Sequence, residues 1–258
     1  MQKVIICDLD GTLLESNGKV SPDTIKMVQH FHKIGGIFII ATGRLDHDIV
    51  YIEEKLGIQG KYRVSQNGAV IKNQFNDVIW NRKMDPNAAS RIVKFLRKKK
   101  LRVEVSDIKQ RYFPSPRGLG GAVEFVDCAI VDPCYLQKIG KTILPSVIMT
   151  FGSEDIFRRL VPFINKNFGQ HVDTIETSSR TLEILAKGVS KGAAVTRILQ
   201  ELQFDTSVCA IGDSANDISM FEIADYAFSV PKASVCAKDK ADELYPTVGD
   251  CINAFIKK

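Results

Sequence analysis

The sequence lacks any long apolar run. No segment approaches the ~18 consecutive apolar residues of a membrane-spanning helix, so no membrane partner is expected. The opening stretch MQKVIICDLD has one lysine and then only four charge-free residues before Asp8, far short of a secretory signal core. The six cysteines, at 7, 128, 134, 209, 236 and 251, include no CxxC pair and no histidine at zinc-ligand spacing. They read as reduced, mostly buried thiols of a cytoplasmic protein. A large excess of charge of one sign is also absent, with 35 Lys and Arg against 30 Asp and Glu. The net charge is +5, and the densest basic runs, RKKK at 97–100 and FRRL at 157–160, belong to no strip interleaved with aromatics. A solvated helix face is therefore expected there, and no nucleic acid partner. Internal repeats and low-complexity tracts are absent, and the histidines at 30, 32, 47 and 171 sit in helix-like or strand-edge contexts that suggest no histidine chemistry.

What is present is an ordinary soluble composition, 258 residues with 45% hydrophobic and 25% charged, long enough for two domains. Short β-branched runs alternate with amphipathic segments at both ends of the chain. KVIICD (3–8) reads as a buried strand; SPDTIKMVQHFHKIGG (21–36) opens on Ser21 as N-cap with Pro22 in the first turn, and stops at Gly35. IFIIAT (37–42) is the next strand, then a helix ends near Leu56 and Gly57, then RVS (63–65) is extended. The same grammar returns in helix 190–204, strand VCAIGD (208–213), helix 216–224, strand YAFSV (226–230) and two short closing helices. Strand and helix alternating in this way predict an α/β fold with a doubly wound, Rossmann-like parallel sheet.

The middle reads differently. Strand candidates at 101–106, 147–151, 171–175 and 182–185 outnumber helix candidates starting at Asp85 and Ser153, and the turn-rich PSPRGLGG (114–121) lies among them. An α+β domain at 83–184, inserted into a core made of 1–82 and 185–258, is the expectation.

Ligands of open parallel sheets bind beyond the carboxyl ends of the strands, so polar residues there carry the most weight. Four such places stand out: CDLDGT (7–12), ATGR (41–44), Lys191 at a helix start, and IGDSAND (211–217). Each alone is an ordinary turn or cap; their coincidence at one end of one sheet is not explained that way. A side-chain period of two sends Asp8 and Asp10 to the same side of an extended chain. Asp8, Asp10, Asp213 and Asp217 are expected to converge, and two like charges ~4 Å apart cost on the order of 4 kcal/mol at an effective dielectric near 20. A cation must share such a site. Oxygen-only ligands with positions left for water and phosphate suit Mg2+ better than calcium. Lys191, Thr42 and backbone N–H groups near Gly43 are donors suited to a phosphate dianion.

DxDGT near the N-terminus, a threonine after the second strand, a lysine and then GDxxND, in that order, resemble the haloacid dehalogenase superfamily. The position and size of the insert, with SQNGA (65–69) before it and GVSKG (188–192) after it, resemble the Cof-like class IIB phosphatases. The resemblance covers the whole expected core and implies a set of roles. Asp8 would be the nucleophile that forms an aspartyl phosphate, and Asp10 the acid and then the base. Asp8, the backbone carbonyl of Asp10 and Asp213 would hold magnesium, with Asp217 orienting that shell. Leu9 through its backbone, Thr42, Gly43, Lys191 and Asn216 would bind the phosphate of a small phosphorylated metabolite. Gly11 would allow a sharp turn that the Thr12 hydroxyl ties.

A phosphomutase of the same fold remains open beside the phosphatase reading, as does a non-hydrolytic phosphoryl-binding regulator. Arg44 stands between meeting the substrate and packing at a hinge, Arg117 could reach a substrate from a mobile loop of the insert but reads rather as an exposed loop residue, and the oligomeric state is not readable.

Overall fold

The computed structural model describes residues 1–117, 125–126, 129–202 and 205–258. They fall into two compact units, residues 1–79 with 190–258, and residues 80–189.

The first unit begins with β1 (Gln2–Cys7), α1 (Pro22–Lys33), β2 (Ile37–Ala41), α2 (Asp46–Leu56), β3 (Tyr62–Ser65), β4 (Val70–Asn73) and β5 (Val78–Asn81). Val4, Ile5, Ile6 and Cys7 are all fully buried, the uninterrupted apolar run of a parallel strand covered on both faces. The Ser21 side chain accepts from the Thr24 N–H to cap α1, which buries Val28 and Phe31. The hairpin of β4 and β5 departs from the sequence expectation. Its strands are four residues long and its turn is made locally, the Asn73 side chain accepting from the N–H groups of Phe75 and Asp77, so hydrophobic periodicity gives little sign of it.

The second unit holds α3 (Pro86–Lys98), β6 (Val103–Ser106), β7 (Arg111–Phe113), β8 (Ala129–Val131), β9 (Val147–Phe151), α4 (Glu154–Phe168), β10 (Val172–Ser178) and β11 (Thr181–Ala186). Its strands form one sheet in the order β10-β11-β9-β6-β7-β8, antiparallel apart from the β7 and β8 pair. Helix α3 begins at its Asp85 cap, and α4 buries Phe157, Leu160, Ile164 and Phe168. The unit's edges lie outside the expected 83 and 184: β11 runs to Ala186 in this sheet, and the division at the other end falls inside β5. Strands β7 and β8 were not foreseen, each being three residues long. Of the turn-rich stretch 114–121, residues 118–121 lie outside the described residues.

The chain returns to the first unit with α5 (Lys191–Leu202), β12 (Thr206–Gly212), α6 (Ile218–Phe221), β13 (Tyr226–Ser229), α7 (Val235–Lys240), β14 (Glu243–Leu244) and α8 (Val248–Lys257). The helix expected at 216–224 is shorter than its apolar pattern suggested. A 3-10 turn over Ala215–Asp217 precedes α6, wound tight because Ser214 and Asp217 close a capping box. The first sheet runs β14-β13-β12-β1-β2-β3-β4-β5, parallel from β14 through β3. Strand β1 lies between β12 and β2, so the loops leaving these three strands are neighbours at one edge.

Of the five described cysteines, Cys7, Cys209 and Cys251 are buried, whereas Cys134 and Cys236 are exposed. Among the described residues no helix is long and apolar enough to cross a membrane.

Candidate active site

Three strand ends and one helix start meet here. Strand β1 stops at Cys7, so Asp8 and Asp10 lie in the turn beyond it and not on an extended chain. That turn is fixed by its own backbone: Leu13 N–H donates to the Asp8 carbonyl at 3.3 Å and Leu14 N–H to the Leu9 carbonyl at 2.8 Å. Gly11 makes the turn possible. It sits at φ +83°, and a Cβ there would collide with the Asp213 carboxylate. The Thr12 hydroxyl donates to Asp213 Oδ1 at 3.2 Å, joining the β1 turn to the β12 turn in place of the local tie expected of it.

Lys191 opens α5, where the helix dipole disfavours a cation, yet its side chain is fully buried. Two carboxylates compensate: Lys191 Nζ donates to Asp8 Oδ1 at 2.5 Å and to Asp217 Oδ1 at 2.7 Å. Burial pulls the Lys191 pKa down, but Asp217 and Asp8 outweigh it and hold the ammonium firmly protonated. The second oxygen of Asp217 accepts from the N–H groups of Asp213 and Ser214 at 2.9 and 3.0 Å, which fixes the β12 turn.

Asp8, Asp213 and Asp217 each offer a carboxylate oxygen, all within 4.8 Å of one another. One ammonium does not balance three acids. Burial pushes the Asp8 carboxyl above its ordinary range, Lys191 partly reverses this, and Asp217 and Asp213 raise it again. Asp213 is raised too, first by burial and then by Asp217. An oxygen-only donor set with surplus negative charge fits a hard divalent cation.

The convergence of four carboxylates expected from the sequence is not what the structure shows. Asp10 turns away from this cluster, and both of its oxygens accept from Arg44, Nε to Oδ2 and Nη2 to Oδ1, each at 2.7 Å. Ending β1 at Cys7 removes the alternation that would have set Asp10 beside Asp8.

Beyond β2, Thr42 is buried, with its hydroxyl accepting from the Arg44 N–H at 3.2 Å. Asn67 joins this rim: its N–H donates to the Thr42 carbonyl at 2.9 Å, its amide stands against Gly43, and its Oδ1 accepts from Asn216 Nδ2 at 2.9 Å. The loop carrying it has φ of 53°, 54° and 94° at Gln66, Asn67 and Gly68. Left-handed backbone at two non-glycine residues stores strain. Gly68 has no substitute, since a Cβ there would meet the Ser190 carbonyl. Thus Asp8, Thr42, Gly43, Lys191, Asp213, Asn216 and Asp217 are brought together, Leu9 is buried in the turn, and Asn67 is an addition that only SQNGA hinted at. Arg117 lies in the second unit and is mostly covered, with its Nη2 on Oε2 of the buried Glu104, which corrects its reading as an exposed loop residue.

A family model described as haloacid dehalogenase-like hydrolase matches residues 5–251. A 5-amino-6-(5-phospho-D-ribitylamino)uracil phosphatase of Bacillus subtilis is 26% identical, covering 93% of this chain and 91% of its own. A crystal structure from Thermotoga maritima superposes with a TM-score of 0.83 at 21% identity, covering 98% of this chain and 97% of its own. A protein described as a subclass IIB sugar phosphatase of the same superfamily gives 0.82 at 18% identity, covering 98% and 99%.

Proposed function

The chain belongs to the haloacid dehalogenase-like hydrolases, and from that premise we propose that it is a Cof-like, class IIB member acting as a magnesium-dependent phosphatase of a small phosphomonoester, through an aspartyl phosphate on Asp8. The observation that carries the reading is the buried Lys191 shared by Asp8 and Asp217, with Asp213 in ligand range of both. Named relatives act on phosphate esters, one of them on a phosphorylated ribitylaminouracil, which keeps phosphorylated cofactor precursors beside sugar phosphates as substrates.

In this mechanism an Asp8 oxygen attacks phosphorus while the bond to the leaving alcohol breaks. Asp10 gives that alcohol its proton, then takes one from the water that attacks the acyl phosphate, releasing inorganic phosphate and restoring Asp8. The Leu9 and Gly43 N–H groups, the Thr42 hydroxyl, the Asn216 amide and the Lys191 ammonium receive the phosphate oxygens. The Thr42 hydroxyl already accepts from Arg44 N–H, leaving its own proton free to point at a ligand. Asp8, the Asp10 backbone carbonyl and Asp213 would hold the magnesium ion, and Asp217 orients that set. Bound there, the ion would offset the repulsion between a carboxylate nucleophile and a phosphate dianion. In capped members of this superfamily the insert chooses the leaving group, and residues 80–189 are the part of this chain proposed for that role.

Phosphate release from sugar phosphates, pyridoxal phosphate, flavin mononucleotide, nucleotides and 4-nitrophenyl phosphate, with magnesium and with excess chelator, tests the proposal. Magnesium-dependent release is expected, and its ranking identifies the substrate class. Isomerised sugar phosphate without free phosphate would make the protein a mutase; no turnover by folded protein would make it a binding protein.

A further inference from the structure

We propose that Arg44, itself held by Asp48, is the positioning residue that aims the Asp10 carboxylate, an inference that rests on the phosphatase reading above. Asp10 occupies the turn after β1, which is closed around it by Leu13 N–H donating to the Asp8 carbonyl and Leu14 N–H donating to the Leu9 carbonyl. Its side chain is another matter, being 53% exposed. An exposed aspartate on a fixed turn is free to change rotamer, and a proton donor held loosely by even 1 Å loses much of its effect. Arg44 removes that freedom by a two-point fork, Nε on Oδ2 and Nη2 on Oδ1, each at 2.7 Å, which fixes the plane of the carboxylate as well as its position.

The fork is anchored in turn. Arg44 Nη1 donates to Oδ2 of Asp48 at 2.7 Å, one helical turn further on in α2, and Asp48 is buried. The main chain of Arg44 is tied at both ends, its N–H to Thr42 Oγ1 at 3.2 Å and its carbonyl accepting from Gln66 N–H at 2.9 Å. Burial alone would lower the Arg44 pKa, but Asp10 and Asp48 together raise it, so the guanidinium stays charged. The sequence Asp48, Arg44, Asp10 therefore runs from the buried start of α2 to the exposed carboxylate of the acid.

The test compares kcat/KM for phenyl phosphate and 4-nitrophenyl phosphate. Nitrophenolate departs without a proton, whereas phenolate gains from one, and kcat/KM reports the step in which the leaving group departs. Arg44→Ala is expected to lower kcat/KM on the order of 30-fold for phenyl phosphate and less than about 3-fold for 4-nitrophenyl phosphate, a fraction of the full acid contribution. The value of kcat falls for both, because both share the hydrolysis of the aspartyl phosphate. Arg44→Lys restores part of the loss, and Asp48→Asn reproduces the same substrate-selective pattern more weakly. Should Arg44→Ala fail to fold, the same ratio read in Arg44→Lys and Asp48→Asn decides. Equal losses on the two substrates would overturn the inference and leave Arg44 as a substrate anchor or a structural residue. A folded wild-type protein that releases no phosphate from these two esters or from the sugar phosphates, pyridoxal phosphate, flavin mononucleotide and nucleotides above would overturn the phosphatase reading, and the inference with it.

Discussion

Two clusters of buried charge lie in the same unit, and they are built differently. In one, Lys191 stands alone among Asp8, Asp213 and Asp217. In the other, under α2, every acidic side chain lies against a basic one: Asp46 accepts from Arg63 Nε at 2.9 Å and from Lys72 Nζ at 2.8 Å, Arg63 Nη1 lies 3.7 Å from Glu53 Oε2, and Arg63 Nη2 donates to Asn76 at 2.6 Å. Burying charge is costly unless each group finds a partner. The paired cluster meets that condition from within and serves as scaffold, joining α2 to β3 and β4. The Lys191 cluster leaves surplus negative charge in a buried place, and only something brought from outside can balance it.

The largest effect separates the two clusters by activity. Asp8→Asn is expected to lower turnover on the order of 10⁴-fold or more, as loss of a nucleophile does, while circular dichroism and melting temperature hold or rise because one buried like charge is gone. Residual turnover near wild type would sink the assignment of Asp8. The paired cluster should respond in the opposite sense. Arg63→Met leaves Asp46 with Lys72 alone, and breaking such a buried pair costs about 3–5 kcal/mol of stability in a denaturant titration. The folded fraction should keep its kcat. Unchanged stability would mean that the pairing under α2 is incidental.

The sequence made one of these clusters far more legible than the other. Asp8, Thr42, Lys191 and Asp213 announced themselves because a parallel sheet brings the loops after neighbouring strands together, and strand ends can be read from apolar runs such as Val4–Cys7. Arg63 and Lys72 gave no such sign: they sit inside strands, and nothing in the spacing of Asp46, Arg63 and Lys72 shows that they face one another. Orientation at the site was equally hidden. That Asp10 turns to Arg44, and that Thr12 reaches across to Asp213, depend on where β1 stops, and element boundaries are the weakest part of any pattern argument. The inserted unit was visible as an excess of strands over helices, but β7 and β8 are too short to carry a period.

Magnesium gives the next effect in size. A cation that binds only the folded protein stabilises it by about 2.7 kcal/mol at a hundred times its dissociation constant. Thermal unfolding of wild type should move to higher temperature by the equivalent of that free energy, Asp213→Asn should abolish the shift, and Glu53→Gln should leave it intact. A shift that survives Asp213→Asn would place the ion elsewhere.

The smallest effect sharpens the comparison most, because it fixes the charge of the scaffold cluster. Burial pushes the Glu53 carboxyl up to about 8; the Arg63 guanidinium and the Gly60 N–H oppose this, and Asp46 adds to it. A folded-state pKa above the ordinary 4.5 means that the folded protein binds the proton more tightly than the unfolded chain. The stability contributed by protonated Glu53 is therefore complete below about 4.5 and is lost as the pH rises through about 8. Glu53→Gln, neutral at every pH and of the same shape, should flatten that decline and be the more stable protein above it, measured as denaturant midpoints across the window. In that event the scaffold cluster carries two cations against one carboxylate at neutral pH, opposite in sign to the active-site cluster. A decline of unchanged size in Glu53→Gln would show that Glu53 contributes none of it and would trace it instead to the raised Asp8 and Asp213 carboxyls, placing the pH-sensitive charge in the active-site cluster and not in the scaffold.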